Sequence, residues 1–247
     1  MQTSQAPISE RYERQIKLEN WGAAAQRKIG AAHVFVAGAG GLGSPAALYL
    51  AAAGVGRLTL CDGDEIRLHN LNRQVLYRED WLGEPKAAHA GQVLQAFNRS
   101  IDVQAYPEYL AADNLARLVG QPDVVIDALD NYPSRFLLNR YCVDHGIPLV
   151  HASIWGLNAM VTFLHPPQAP CLRCLVPQLP VETAYPAVGA VCGIAGCTQA
   201  LEALKFITGI GELLTNRMLI IDGEELSFEI MQVARQPDCP DCGQLAG

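Results

Sequence analysis

The sequence predicts an α/β fold built on a doubly wound, mostly parallel sheet, and three observations carry that expectation. Short apolar runs bounded by turn residues recur through the first 150 positions, at 34–36, 57–62, 101–106, 123–127 and 147–151. Segments of helical length separate them, and strand alternating with helix over short connections is the pattern of a parallel sheet. Past residue 152 the alternation stops. Residues 160–164, 217–221 and 226–233 read as strands that extend the sheet in antiparallel fashion.

In chain order, residues 9–29 read as an N-terminal helical segment, with Ile16, Leu18, Trp21 and Ile29 as apolar positions. Arg11 and Arg14 fall on one helical face at i, i+3, a spacing equally suited to two solvated arginines. The strand at 34–36 runs into Gly38, Gly40 and Gly43 with the G-x-G-x-x-G spacing, followed by Ser44 as a helix cap, Pro45 at the first helical position and an alanine-rich helix over 46–53. Glycines there let the backbone turn tightly and approach a phosphate, to which a helix N-terminus presents unpaired N–H groups. The next strand ends in Asp62, a carboxylate suited to a ribose hydroxyl, so this half reads as a Rossmann-like nucleotide-binding unit for an adenine nucleotide. A helix over 84–97 carries Lys86 in its first turn, the positive end of the helix dipole, where a cation needs a reason to be. A short helix is expected at 113–118. The strand at 123–127 leads to Asp130 and Asn131 and a helix over 133–145. The glycines, Asp62 and Asp130 lie just beyond strand ends, where such sheets bind ligands. A proline-rich stretch at 177–186 precedes a small-residue helix over 193–208.

The 247 residues are read as a single domain, 1–247; half are apolar and 17% are charged, which suits a compact chain. A net charge of −7 without a basic run argues against a nucleic-acid surface. No apolar run reaches the roughly 18 residues of a membrane span, and the N-terminus lacks a signal-peptide pattern, so a cytoplasmic protein is expected. Four of the eight cysteines form two knuckles, Cys171-Leu-Arg-Cys174 and Cys239-Pro-Asp-Cys242. Four thiolates in two such pairs suit a closed tetrahedral structural Zn²⁺ site, with redox pairs or a disulfide as the alternatives. Cys61, Cys142, Cys192 and Cys197 read as small buried apolar residues rather than nucleophiles.

Arg11-Tyr-Glu-Arg14, the Gly38–Gly43 turn, Asp62-Gly-Asp64, Asn70-Leu-Asn-Arg73, Glu84-Pro-Lys86, Asp130-Asn131 and the paired knuckles occur in an order and spacing that is familiar. Over residues 8–243 the chain resembles the E1-like adenylating enzymes of the MoeB/ThiF/HesA type, which activate ubiquitin-like sulfur carriers. The resemblance implies an ATP-dependent adenylyltransferase that converts the C-terminal Gly-Gly carboxylate of a small carrier protein to an acyl-adenylate with release of pyrophosphate, for molybdopterin or thiamine biosynthesis. It implies that Asp62 holds the ribose, that Gly41 approaches the nucleotide and that Asn70 contacts it. Arg73 and Lys86 would neutralise the triphosphate, and Asp130 would hold Mg²⁺ with Asn131 beside it. Arg14 would reach the site from the partner subunit of a homodimer. Relatives often carry a cysteine in a crossover loop, whereas this chain reads Val181-Glu-Thr-Ala-Tyr-Pro186. The expectation is therefore a non-covalent adenylate and a separate sulfur donor. Two other readings stand beside it. One is a relative that adenylates a peptide or a tRNA base. The other is an NAD(P)-dependent oxidoreductase, which the glycine turn alone suggests and which leaves Arg14, Arg73, Lys86 and Asp130 without a joint role.

Overall fold

The computed structural model describes residues 8–179 and 186–245. Three short helices open the chain: α1 (Ile8–Arg11), α2 (Glu13–Ile16) and α3 (Gly22–Ala31). Strand β1 (His33–Ala37) leads through α4 (Gly43–Ala53) to β2 (Arg57–Cys61), and α5 (Lys86–Phe97) leads to β3 (Asp102–Tyr106). Then come α6 (Leu115–Leu118), β4 (Val124–Asp127), α7 (Tyr132–His145), β5 (Leu149–Trp155), β6 (Asn158–Leu164) and α8 (Leu172–Leu175). Helix α9 (Gly189–Thr208) and strands β7 (Arg217–Asp222) and β8 (Ser227–Gln232) close the fold.

The strands form one eight-stranded sheet in the order β3-β2-β1-β4-β5-β6-β7-β8. Pairings from β3 to β5 are parallel, and those from β5 to β8 are antiparallel. This is the doubly wound sheet with an antiparallel C-terminal extension that the sequence predicts. Strand alternation divides the core into two layers. Val34 and Val36 point into a cluster with residues of α3, α4, α5 and α9, while Phe35 and Ala37 point into a second cluster with α6, α7 and α8. The order in which strands are added reverses between β1 and β4, so the crevice beyond their carboxyl ends opens there.

Several local expectations need correction. The 9–29 segment is three helices rather than one, broken at Tyr12 and between Ile16 and Gly22. Helix α4 starts at Gly43, so Ser44 is not its cap; its hydroxyl instead donates to the Ala39 carbonyl at 2.9 Å. Helix α5 begins at Lys86 itself, after Pro85, and the helix expected at 113–118 is confined to Leu115–Leu118. Helix α9 begins at Gly189, four residues earlier than the sequence suggests. It is also long and apolar enough to cross a membrane by length and composition, against the expectation that no segment qualifies. Here it packs on β5, β6 and α4 as the central helix of one core layer. Residues 181–185 of the crossover loop lie outside the described residues.

Candidate active site

The glycine turn follows β1 directly. Gly38 has φ +92°, and a Cβ there would stand 2.6 Å from the Ala128 carbonyl oxygen on neighbouring β4's extension. A Cβ on Gly43 would stand 1.9 Å from the Gly38 oxygen, so neither position admits a side chain. Ala39 between them is clamped on both sides. Its carbonyl accepts from Ser44 Oγ and from Tyr77 Oη at 2.7 Å, and its N–H donates to Asp62 Oδ2 at 2.8 Å. Gly38, Gly40 and Gly41 border a cavity of about 950 Å³, at the upper end of the range for small-molecule sites.

Asp62, Asp64, Lys86 and Tyr109 form one wall of that cavity. Asp62 Oδ1 accepts from the Asp64 N–H at 2.9 Å. Burial raises the Asp62 pKa above the ordinary carboxylate value, against the opposing pull of Lys86 and of the two backbone donors. Lys86 is buried, and its ammonium donates to Asp64 Oδ2 at 2.7 Å. Tyr109 Oη donates to the other oxygen of Asp64 at 2.8 Å. Burial disfavours the ionised Asp64, but Lys86 and Tyr109 outweigh it and hold the carboxyl below its usual value. The cation at the start of α5 thus has a local counter-charge, which offsets its unfavourable place at the positive helix end.

Arg73 borders the cavity beside Gly41, where a Cβ would meet its side chain at 3.4 Å. Its guanidinium donates to the His69 carbonyl at 2.8 Å. Gln74, next in sequence, is 4% exposed and lines the cavity with its amide oxygen unpartnered. Cys192, in the first turn of α9, also faces the cavity, with Sγ 3.1 Å from where a Gly41 Cβ would be. Burial pushes its thiol pKa up, against the opposing field of Arg73. Asn70 is placed differently. It is buried, its side chain accepts from the Arg67 N–H at 3.0 Å, and it does not border the cavity. Arg14 is exposed on α2 and does not border the cavity of its own chain.

The opposite wall follows β4. Asp130 and Asn131 border the cavity, and Asn131 caps α7 by accepting from the Ser134 N–H at 2.9 Å. The loop that bears them is gripped from below. Arg135 donates through Nε to the Leu129 carbonyl at 3.1 Å and through Nη2 to the Ala152 carbonyl at 2.9 Å. Asp127, fully buried, accepts from the Leu129 N–H at 3.1 Å and from His151 Nδ1 at 2.6 Å. Burial opposes its ionisation, but Arg135 and His151 reverse the balance and hold it below the usual range. Beyond this wall, Trp155, Met160 and Ile220 line the part of the cavity formed by the antiparallel strands.

Sequence reasoning gave no role to Gln74, Tyr109 or Arg135. Gln74 adjoins Arg73, and Arg135 lies one turn beyond Asn131 on the same helical face, which are the only signals the sequence carries for them. On the far side of α7, Cys171, Cys174, Cys239 and Cys242 are buried and bring their sulfurs within 4.8 Å of one another. Sγ distances of 3.9, 3.6 and 3.4 Å are far from a disulfide bond and near the edge of about 3.8 Å that a tetrahedron of zinc–sulfur bonds requires. The donor set therefore fits a closed metal site.

The sequence matches the ThiF family over residues 12–241. It is 42% identical over 239 residues to the heterocyst HesA protein of Trichormus variabilis, covering 96% of this chain and 90% of that one. It is 41% identical over 245 residues to the sulfur carrier protein adenylyltransferase of Thermus thermophilus, covering 95% and 90%. Among solved structures, E. coli MccB with ATP superposes with a TM-score of 0.84 at 27% identity, covering 94% of this chain and 74% of that one.

Proposed function

This chain belongs to the ThiF family, and from that premise we propose that it is an ATP-dependent adenylyltransferase acting on the C-terminal carboxylate of a small ubiquitin-like sulfur-carrier protein that ends in Gly-Gly. The observation that carries the reading is Lys86: a buried cation, held by Asp64, facing a cavity bordered by Gly38, Gly40 and Gly41, of which Gly38 admits no side chain. Sulfur-carrier adenylyltransferase is also the name borne by a relative that matches over nearly its full length. ATP lies with its ribose at Asp62 and its phosphates over Gly40 and Gly41. A carboxylate oxygen of the carrier attacks the α-phosphorus, the bond to the bridging oxygen of the β-phosphate breaks, and pyrophosphate leaves. Little covalent work falls to the protein, so rate comes from positioning and from charge placed against the triphosphate. Lys86 and Arg73 supply that charge from within the chain. The buried Gln74 amide aims an additional polar group at the turn.

Asp130 offers a hard oxygen donor at the cavity wall, and with Asn131 beside it would hold Mg²⁺, which supplies charge neutralisation on the phosphates. Cys171, Cys174, Cys239 and Cys242 would hold a structural Zn²⁺. The carrier's extended tail suits the part of the cavity lined by Trp155, Met160 and Ile220. Arg14, remote from its own cavity, fits a contribution across a homodimer. The carrier serves molybdopterin or thiamine synthesis, both of which use such tails, and a cytoplasmic location goes with that reading. A separate protein delivers the sulfur, since the proposed chemistry ends at the adenylate.

Carrier-dependent ATP–pyrophosphate exchange tests the proposal, with a panel of Gly-Gly-terminated carriers and with NAD as a control ligand. Exchange appears only with a carrier present, and Asp130→Ala or Arg73→Ala lowers it by at least ~10²-fold, the usual loss when a transition-state charge partner is removed. Carrier-independent exchange, or full activity in Asp130→Ala, would contradict it.

A further inference from the structure

Helix α7 joins two features that the fold otherwise keeps apart. Its cap Asn131 and three of its positions, each four residues from the next, line up along one side: Asn131, Arg135, Asn139 and Val143. Asn131 caps the helix at the cavity, and Arg135 grips the carbonyl of Leu129 next to Asp130. At the other end, Val143 packs in one buried cluster with the four knuckle cysteines. The line spans twelve residues, about 18 Å at the rise of an α-helix.

Asn139, 1% exposed, stands in the middle and touches both knuckles at once. Its Oδ1 accepts from the Leu172 N–H of the first knuckle at 2.8 Å, and its Nδ2 donates to Asp241 Oδ2 of the second at 2.9 Å. Because the Asn139 amide is buried, it is satisfied at a helix position where both knuckles are in place, and losing a partner costs the desolvation of a buried polar group. The Arg173 guanidinium lies 3.6 Å from the centre of the Phe136 ring, a second contact between the first knuckle and the helix. Thiolate knuckles in separate parts of a chain are brought together by the metal they share. Metal binding thus sets the position of Asn139, and the helix carries that position to the Asp130–Asn131 wall.

We propose that α7 couples the four-cysteine knot to the nucleotide cavity, with Asn139 as the positioning residue. The inference rests on the reading of the cavity as an ATP site and of the knot as a zinc site. Coupling of this kind is reciprocal: zinc tightens ATP binding, and ATP tightens zinc binding by the same factor.

The test uses the full chain and two binding measurements, without turnover. ATP affinity is measured calorimetrically on zinc-loaded and chelator-stripped protein, and zinc affinity is measured by competition with a chromogenic chelator, with and without saturating ATP. In the wild type, stripping weakens ATP binding about tenfold, within the usual range for coupled sites, and ATP strengthens zinc binding by an equal factor. In Asn139→Ala the chain still takes up one zinc, binds ATP as weakly as stripped wild type, and no longer responds to zinc. Asp241→Ala, which removes the Asn139 bond to the second knuckle and the 3.8 Å contact of Asp241 with Arg173, reduces the coupling in the same direction and serves if Asn139→Ala does not fold. Wild-type ATP affinity that is indifferent to zinc, or equal zinc sensitivity in wild type and either variant, overturns the coupling alone. Wild-type protein that binds no ATP or no zinc overturns the underlying reading, and the coupling with it.

Discussion

Asp62 is where backbone geometry and charge meet at the scale of a single residue. Its carboxylate ties the glycine turn through the Ala39 N–H, and burial raises its pKa, opposed by Lys86 and by the backbone donors. Protonation therefore begins above the ordinary aspartate value of about 3.9 as pH falls, and the ionised acceptor proposed for a ribose hydroxyl is lost with it. ATP affinity measured from pH 4 to 8 falls on the acid side in wild type, while Asp62→Asn binds more weakly throughout and lacks that limb; superimposable profiles would contradict the assignment. Gly43 makes a sharper case, because a Cβ 1.9 Å from the Gly38 oxygen cannot be absorbed by moving a flexible side chain. Gly43→Ala should lose ATP binding and lower the melting temperature together, and an unchanged Kd by titration would show that the turn can shift without harm. The glycines and Asp62 were legible in the sequence because a tight turn after a strand restricts residue type at fixed spacing. Tyr109 was not, since a loop residue that reaches Asp64 from 45 positions away carries no local pattern.

Between elements, the informative contacts are those by which α7 and the knuckles hold the β4 loop. Asp127, fully buried, is kept ionised by Arg135 and His151 against the cost of burial. Its folded pKa lies below the unfolded one, so its contribution to stability is present in full above about pH 4 and is lost as pH falls through the folded value. Urea midpoints from pH 3 to 7 should show Asp127→Asn less stable at pH 7 and less steeply dependent on acid than wild type; parallel curves would refute the ion-pair account. Cys242→Ser should retain less than one equivalent of zinc by elemental analysis and melt at a lower temperature, as expected when metal binding contributes to folding, and unchanged melting would remove the knot's structural role. The strand–helix alternation made the sheet legible, and the Cys-x-x-Cys spacing made the knot legible. The start of α9 was not, because its cap, Val188, makes no side-chain capping bond and Gly189 and Ala190 resemble a loop as much as a helix. Cys192, which the sequence places among small residues at a helix start and reads as buried, is buried, and the earlier start sets it in the first turn at the cavity. Ser44 misled in the opposite sense, having the right type for a cap but using its hydroxyl to clamp the turn.

For the whole molecule, the sheet's change from parallel to antiparallel sets out the division of labour. The parallel half brings the glycine turn, Asp62 and Asp130 to one crevice, and the antiparallel half extends that crevice along Trp155, Met160 and Ile220. Arg14 is exposed on α2 and absent from its own cavity wall, which is why its proposed role is across a dimer. If it acts across a homodimer, mixing inactive Arg14→Ala with inactive Lys86→Ala chains restores part of the exchange activity once subunits have redistributed; demonstrated redistribution without recovery would count against it. The proposed reaction joins AMP to the end of a carrier in this cavity. Intact mass spectrometry of a Gly-Gly-terminated carrier after incubation with this protein and ATP tests it most directly. A carrier species heavier by one adenylyl group on its terminal glycine is expected, lost when the Gly-Gly is deleted and in Asp130→Ala; a carrier that keeps its mass while wild-type protein binds ATP normally would contradict it.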